Sequence, residues 1–153
     1  MAFNFSNTKT ELSKFMDKEH PTFVGFPEST DIAAIKWANA INEGAKSVIP
    51  ISITSEKAKQ ESEDIMKTLF KINGRVGLIS GFSTYANILG AGMQPNFSAT
   101  PPSIPITFDP VYIIGLSGGS NATCIDMMIE IMKLWFSLGV AVNNSSGTIL
   151  NWT

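Results

Sequence analysis

Residues 121–139, NATCIDMMIEIMKLWFSLG, carry the strongest architectural signal in this chain. Ser120 or Asn121 is suited to cap a helix, and Gly139 to stop one. From Ala122 to Leu138 the polar positions are Thr123, Asp126, Glu130, Lys133 and Ser137, the last four making one narrow stripe. Every other position is apolar. A helix apolar over most of its circumference is buried over most of it. The spacing therefore predicts a long, largely enclosed helix over 121–138, in a mainly α fold.

Downstream, the tail GVAVNNSSGTILNW (139–152) predicts two short strands around an Asn-Ser-Gly turn, a C-terminal β-hairpin. Upstream, VYIIGL (111–116) reads as a buried strand and SGGSN as a turn. Residues 91–110 carry five prolines, which disfavours regular structure and favours polyproline-like extension. The apolar residues Met93, Phe97, Ile104, Ile106 and Phe108 punctuate this segment. It is expected to be an arm laid over a groove, in its own subunit or a neighbour's. VGLISGFSTYANILG (76–90) is open between buried helix and strands, and its glycines support helix only over 82–90.

The first half is more regular. Leu12, Phe15 and Met16 mark a helix over 8–19, ended by Pro21, and 21–28 form an extended connector. Ser29 and Thr30 are N-cap candidates for a helix with Ile32, Ile35, Ala38 and Ile41 on its inner stripe, widened by Ala33 and Trp37, and Gly44 as its stop. SVIPISIT (47–54) predicts an edge strand or extended link, because Pro50 interrupts it. Ser55 is expected to cap a helix over 56–72 that faces the core with Ala58, Ile65, Leu69 and Ile72 and closes at Asn73-Gly74.

Composition bounds the function. The chain has 153 residues, net charge −2 and only 16% charged residues, below the usual quarter. That balance argues against a nucleic-acid binder held by phosphate attraction. One cysteine excludes an intrachain disulfide framework, and one histidine beside it makes a zinc site improbable, so no cofactor and no metal are expected. No apolar run reaches membrane-spanning length, and the start lacks the order of a signal peptide. Six Asn-x-Ser/Thr sequons then reflect only the abundance of those residues.

The charges are unevenly placed. Residues 1–75 hold ten of the eleven basic and ten of the thirteen acidic residues. After Arg75 only Asp109, Asp126, Glu130 and Lys133 are charged. Two explanations compete: the second half is this domain's own core, or it meets other protein copies, since interfaces are depleted in Lys, Glu and Asp. The second is favoured here because a small domain leaves much of its surface in water. One domain is expected over 1–153, with a charged helical part at about 1–75 and an assembly part at about 76–153. Contact is expected through the arm residues just named and through Met128, Trp135 and Phe136 on the helix.

Motifs for chemistry are thin. Gly115-Leu116-Ser117-Gly118-Gly119 fits the G-x-S-x-G pattern of a hydrolase nucleophile elbow, but the only histidine, His20, lies far upstream of it. The turn lacks the lysine of a phosphate loop. Glu61 and Glu63 diverge by about 200° on a helix, so with Asp64 they form a solvated face rather than an ion site. His20 reads as a capping or surface histidine and Cys124 as a small core residue. A lipid-binding module is disfavoured by the scarcity of basic residues in the apolar half.

The layout also resembles a family. A tryptophan helix (IKWANAINEGA, 35–45) runs into an extended link (VIPISIT, 48–54). A proline block (ATPPSIPIT, 99–107) precedes an apolar helix with an aromatic pair and a glycine stop (MKLWFSLGVAV, 132–142). This arrangement resembles small structural proteins of tailed-bacteriophage particles. The resemblance implies a non-enzymatic component of head, neck or tail, located in the virion and partnered by copies of itself and other virion proteins. No membrane or nucleic-acid partner is expected.

Overall fold

A computed structural model describes residues 3–48, 52–108 and 120–153. In it five helices and three strands follow one another: α1 (Phe5–Met16), α2 (Thr30–Ala45), α3 (Ser52–Leu69), α4 (Gly74–Ala91), β1 (Phe97–Thr100), α5 (Asn121–Phe136), β2 (Val140–Asn143) and β3 (Ile149–Asn151). The fold is mainly α, with a small antiparallel sheet ordered β1-β2-β3. The expected strand over 111–116 and the Ser117 turn lie outside the described residues.

The caps explain where the helices begin. Asn4 accepts from the Asn7 N–H and starts α1 three residues before the expected Thr8. Ser29 caps α2 as anticipated, accepting from the Ile32 N–H at 3.1 Å. Asn73, expected to close the third helix, instead opens α4: its Oδ1 accepts from the Arg75 and Val76 N–H groups at 2.9 and 3.2 Å. Ser120 caps α5, accepting from the Thr123 N–H.

Several expectations are corrected by packing. Residues 52–54 begin α3 rather than ending a strand, so Ser55 is a buried helical residue and not the cap. The inner face of α3 is Ala58, Ser62 and Met66, four residues apart; Ile65 and Leu69 are half-buried, and Ile72 is 79% exposed beyond the helix end. In α2 the buried stripe is Ala34, Trp37, Ala38 and Ile41, while Ile35 faces outward, because alanines let α1 and α3 approach closely. Gly44 does not stop α2. It lies within the helix where α1 presses on it, and a Cβ there would collide with Thr8 and Phe3.

Helix α4 spans all of 74–91, so its glycines are not strand or turn signals. Gly77 and Gly81 sit where Phe70 and Met66 press on the helix; a Cβ at Gly81 would come within 2.6 Å of Met66 Cγ. The proline-rich arm is not free of regular structure as expected: residues 92–96 turn out of α4, and 97–100 form β1, which pairs with β2 in the register Phe97↔Asn143 to Thr100↔Val140, before 101–108 run on without regular structure. Asn144 fixes that end, donating from Nδ2 to the Pro95 carbonyl at 2.6 Å and accepting from Ser98 Oγ at 2.7 Å. The expected hairpin is present as β2 and β3, turned at Gly147 with φ +70°.

Phe82 centres the core. Its ring meets Trp37, Phe108, Trp135 and Phe136 at centroid distances of 5.6 to 6.5 Å. Phe136 in turn stacks on Phe3 at 4.3 Å. Trp152 covers Gly139, and its carbonyl accepts from the Phe3 N–H at 2.9 Å. One apolar cluster thus runs from Phe3 to Trp152.

Candidate assembly surface

The residues expected to meet neighbours do something else. Met93, Ile106, Phe108, Met128, Trp135 and Phe136 are all buried in the chain's own core, and Phe97 is half-buried in β1. Trp135 donates from Nε1 to the Ile104 carbonyl at 2.5 Å, which ties the arm down onto α5. Of the eight, only the Ile104 side chain is exposed, at 62%. Much of the charge scarcity after Arg75 is therefore that of a core: the aromatic rings that fill it come largely from this half. The arm lies on its own subunit.

Exposed apolar side chains are scattered, among them Val24, Phe26, Ile72 and Ile149, but two of them lie close together at the end of α5. Leu134 is 71% and Leu138 51% exposed, and Cys124, Met127 and Ile131 are half-buried. Alongside runs an open groove of about 1010 Å³ between the start of α1 and α5. Phe3 and Phe5 form one wall, and Met127, Ile131 and Leu134 form the other. The groove continues past Ser137 towards Thr153.

Charges edge this apolar floor. Lys9 on α1 reaches Asp126 on α5 at 2.5 Å, and Lys133 pairs with Glu130 at 2.7 Å. All four side chains are about half exposed, so each pair is worth at most about 1 kcal/mol and orients the rim more than it stabilises the fold. The combination of an apolar floor and a balanced polar edge is the anatomy of a protein contact. Phe3 and Phe5 are missed by periodicity, since nothing local indicates that residues so near the start lie against residue 134.

Other candidate residues are accounted for by local bonds. His20 accepts at Nδ1 from the Thr22 N–H at 3.2 Å and lies 2.8 Å from the Thr22 hydroxyl, within a turn. Glu61 faces Lys57 at 3.8 Å, Glu63 pairs with Lys67 at 2.7 Å, and Asp64 accepts from Gln60 at 3.0 Å, so the three do not converge. Glu63 is buried rather than solvated, its partner covering it. Burial pushes the Cys124 thiol above its usual pKa, which keeps it protonated. Among the described residues no group of three His, Cys, Asp or Glu is placed to hold a metal ion. Among them, too, no helix is long and apolar enough to cross a membrane.

A fully buried polar pair lies elsewhere. Tyr85 donates to Asn42 Oδ1 at 2.7 Å, and Asn42 donates to Glu56 at 3.1 Å, linking α4, α2 and α3. Burial first, then the carboxylates of Glu56 and Glu43, holds the Tyr85 phenol far above its ordinary pKa. With every member partnered, this network holds the three helices together rather than forming a reactive site.

No protein family matches this chain, and no curated protein or solved structure matches it either.

Proposed function

We propose that this chain is a non-catalytic structural subunit that works by assembling with other protein chains through the outer side of α5, as a component of a bacteriophage particle. One observation carries the assembly part: Leu134, exposed on α5, lines the Phe3–Phe5 groove together with the half-buried Met127 and Ile131, and the exposed Leu138 follows just past the helix end. Exposed apolar surface gathered in one place, with a polar edge, favours contact with another protein. The particle comes from the sequence resemblance alone, through the strings at 35–45, 48–54, 99–107 and 132–142.

Such a subunit uses its core for self-support and its outer helix for its neighbours. Closed symmetric assemblies repeat one patch on every copy, so a single exposed stripe can bind throughout a ring or shell. The test is light scattering coupled to size exclusion, with an apolar dye. The expected result is a concentration-dependent rise in mass together with dye binding at low concentration, both reduced in Leu134→Glu. A monomer at every concentration with no dye binding would overturn it.

A further inference from the structure

The joint between α3 and α4 contains the one Asn-Gly pair of this chain, Asn73-Gly74. An asparagine followed by glycine is especially prone to lose its side-chain amide. The backbone nitrogen of the next residue attacks the asparagine Cγ, and glycine has no side chain to obstruct it. Asn73, Gly74 and Arg75 are all exposed. A Cβ at Gly74 would meet nothing within 4 Å, so no neighbouring atom shields this side of the backbone.

The fold sets itself against the reaction. Asn73 Oδ1 accepts from the Arg75 and Val76 N–H groups at 2.9 and 3.2 Å. The Asn73 N–H donates to the Leu69 carbonyl at 2.8 Å, and its own carbonyl accepts from the Gly77 N–H at 3.0 Å. The residue is thus tied to both helices it joins. Ring closure also needs Cβ and the Gly74 nitrogen nearly eclipsed about the bond from Cα to the carbonyl carbon. The extended ψ of 117° at Asn73 holds them apart. Closure therefore requires the cap bonds to break and ψ to turn. Those bonds are solvent-exposed and sit at a helix end, where local opening costs least.

We propose that Asn73-Gly74 is a site of spontaneous deamidation, gated by the first turn of α4. When that turn opens, the Gly74 nitrogen bonds to Asn73 Cγ and gives its proton to solvent. The side-chain nitrogen takes a proton from solvent and leaves as ammonia, and a succinimide remains. Water then adds at one of the two ring carbonyls. Attack at Cγ breaks the new bond and yields aspartate. Attack at the main-chain carbonyl breaks the original peptide bond and yields isoaspartate. The sum is one water consumed and one ammonia released.

The two products act oppositely on the joint. Aspartate keeps the capping oxygen and adds a negative charge at the N-terminus of α4, where the helix dipole favours it. Isoaspartate lengthens the main chain by one carbon and turns the Asn73 carbonyl into a free carboxylate. The first turn of α4 then loses its acceptor for the Gly77 N–H, close to where Phe70 presses on Gly77. This inference does not rest on the assembly function proposed above.

The test is peptide mapping by mass spectrometry after incubation of the full chain in mildly alkaline buffer, folded and in guanidinium. Deamidation at Asn73 is expected in both. In the folded chain it is expected to be at least about twofold slower, because the cap must first open. Gly74→Ala, whose methyl crowds the attacking nitrogen without touching the fold, is expected to remove most of the product. Isoaspartate is identified by labelling with isoaspartyl methyltransferase. The isoaspartate fraction should unfold at a lower Tm than the unmodified chain, and Asn73→Asp at an equal or higher one. A folded rate that matches the denatured one would overturn the gate. No product in the folded chain by the time the denatured chain is consumed, or undiminished product in Gly74→Ala, would overturn the site. An isoaspartate fraction as stable as the unmodified chain would overturn the effect on the joint.

Discussion

Two helix contacts in this molecule are built from similar residues and end differently. Between α3 and α4, Gly77 and Gly81 remove side chains where Phe70 and Met66 press, and the helices close on each other. Between the start of α1 and α5 no glycine stands: Phe3, Phe5, Met127 and Leu134 wall a groove that stays open, bridged at its rim by Lys9 and Asp126. Apolar content is high in both places. What separates a closed seam from an open one is the size of the residues at the point of approach, because interiors are packed too densely to absorb a misfit.

Substitutions can break this contrast, and the closed side is where stability is lost. Phe82→Ala removes the ring on which Trp37, Phe108, Trp135 and Phe136 converge, and is expected to cost about 3–5 kcal/mol in denaturant unfolding. Gly81→Leu forces α3 and α4 apart at Met66 and is expected to cost about 1–3 kcal/mol or more, with a lowered Tm as the readout.

Tyr85→Phe leaves Asn42 Oδ1 buried without its donor, an expected loss of about 1–3 kcal/mol at neutral pH. It also carries a pH signature. The folded state holds the phenol protonated far above the unfolded value of about 10. Its contribution is thus fully present below about pH 10 and declines as pH rises above that, where the unfolded chain ionises and the folded one does not. Stability measured against pH should fall more steeply on the alkaline side in the wild type than in Tyr85→Phe.

On the open side the same measurements should barely move. Lys9→Ala removes a half-exposed pair and is expected to cost less than about 1 kcal/mol. A large loss of stability from Lys9→Ala, or none from Gly81→Leu, would erase the distinction between the two contacts.

The sequence is most informative where local chemistry decides structure. Ser29 and Ser120 cap helices as their types indicate, and the long apolar helix and the terminal hairpin lie where periodicity and the Gly147 turn put them. It is least informative where a residue's role depends on a distant neighbour. Glycines at 77 and 81 look like helix breakers in isolation and are contact points once α3 lies against them. Apolar residues such as Trp135 and Phe136 read from the sequence as interface, and the arrival of Phe82 and Phe3 makes them core. The groove is formed by residues from opposite ends of the chain, so no window of sequence contains it.

The hydrogen bond from the Phe3 N–H to the Trp152 carbonyl, with the indole seated on Gly139, joins the first and last described elements like a clasp. Joining segments so remote in the chain carries a large loop-closure entropy, so this clasp is expected among the late events of folding. It is also the point where tension would be felt. A pull on both ends of the chain would load the clasp before any helix unwinds, and would open the molecule from the side nearest its groove.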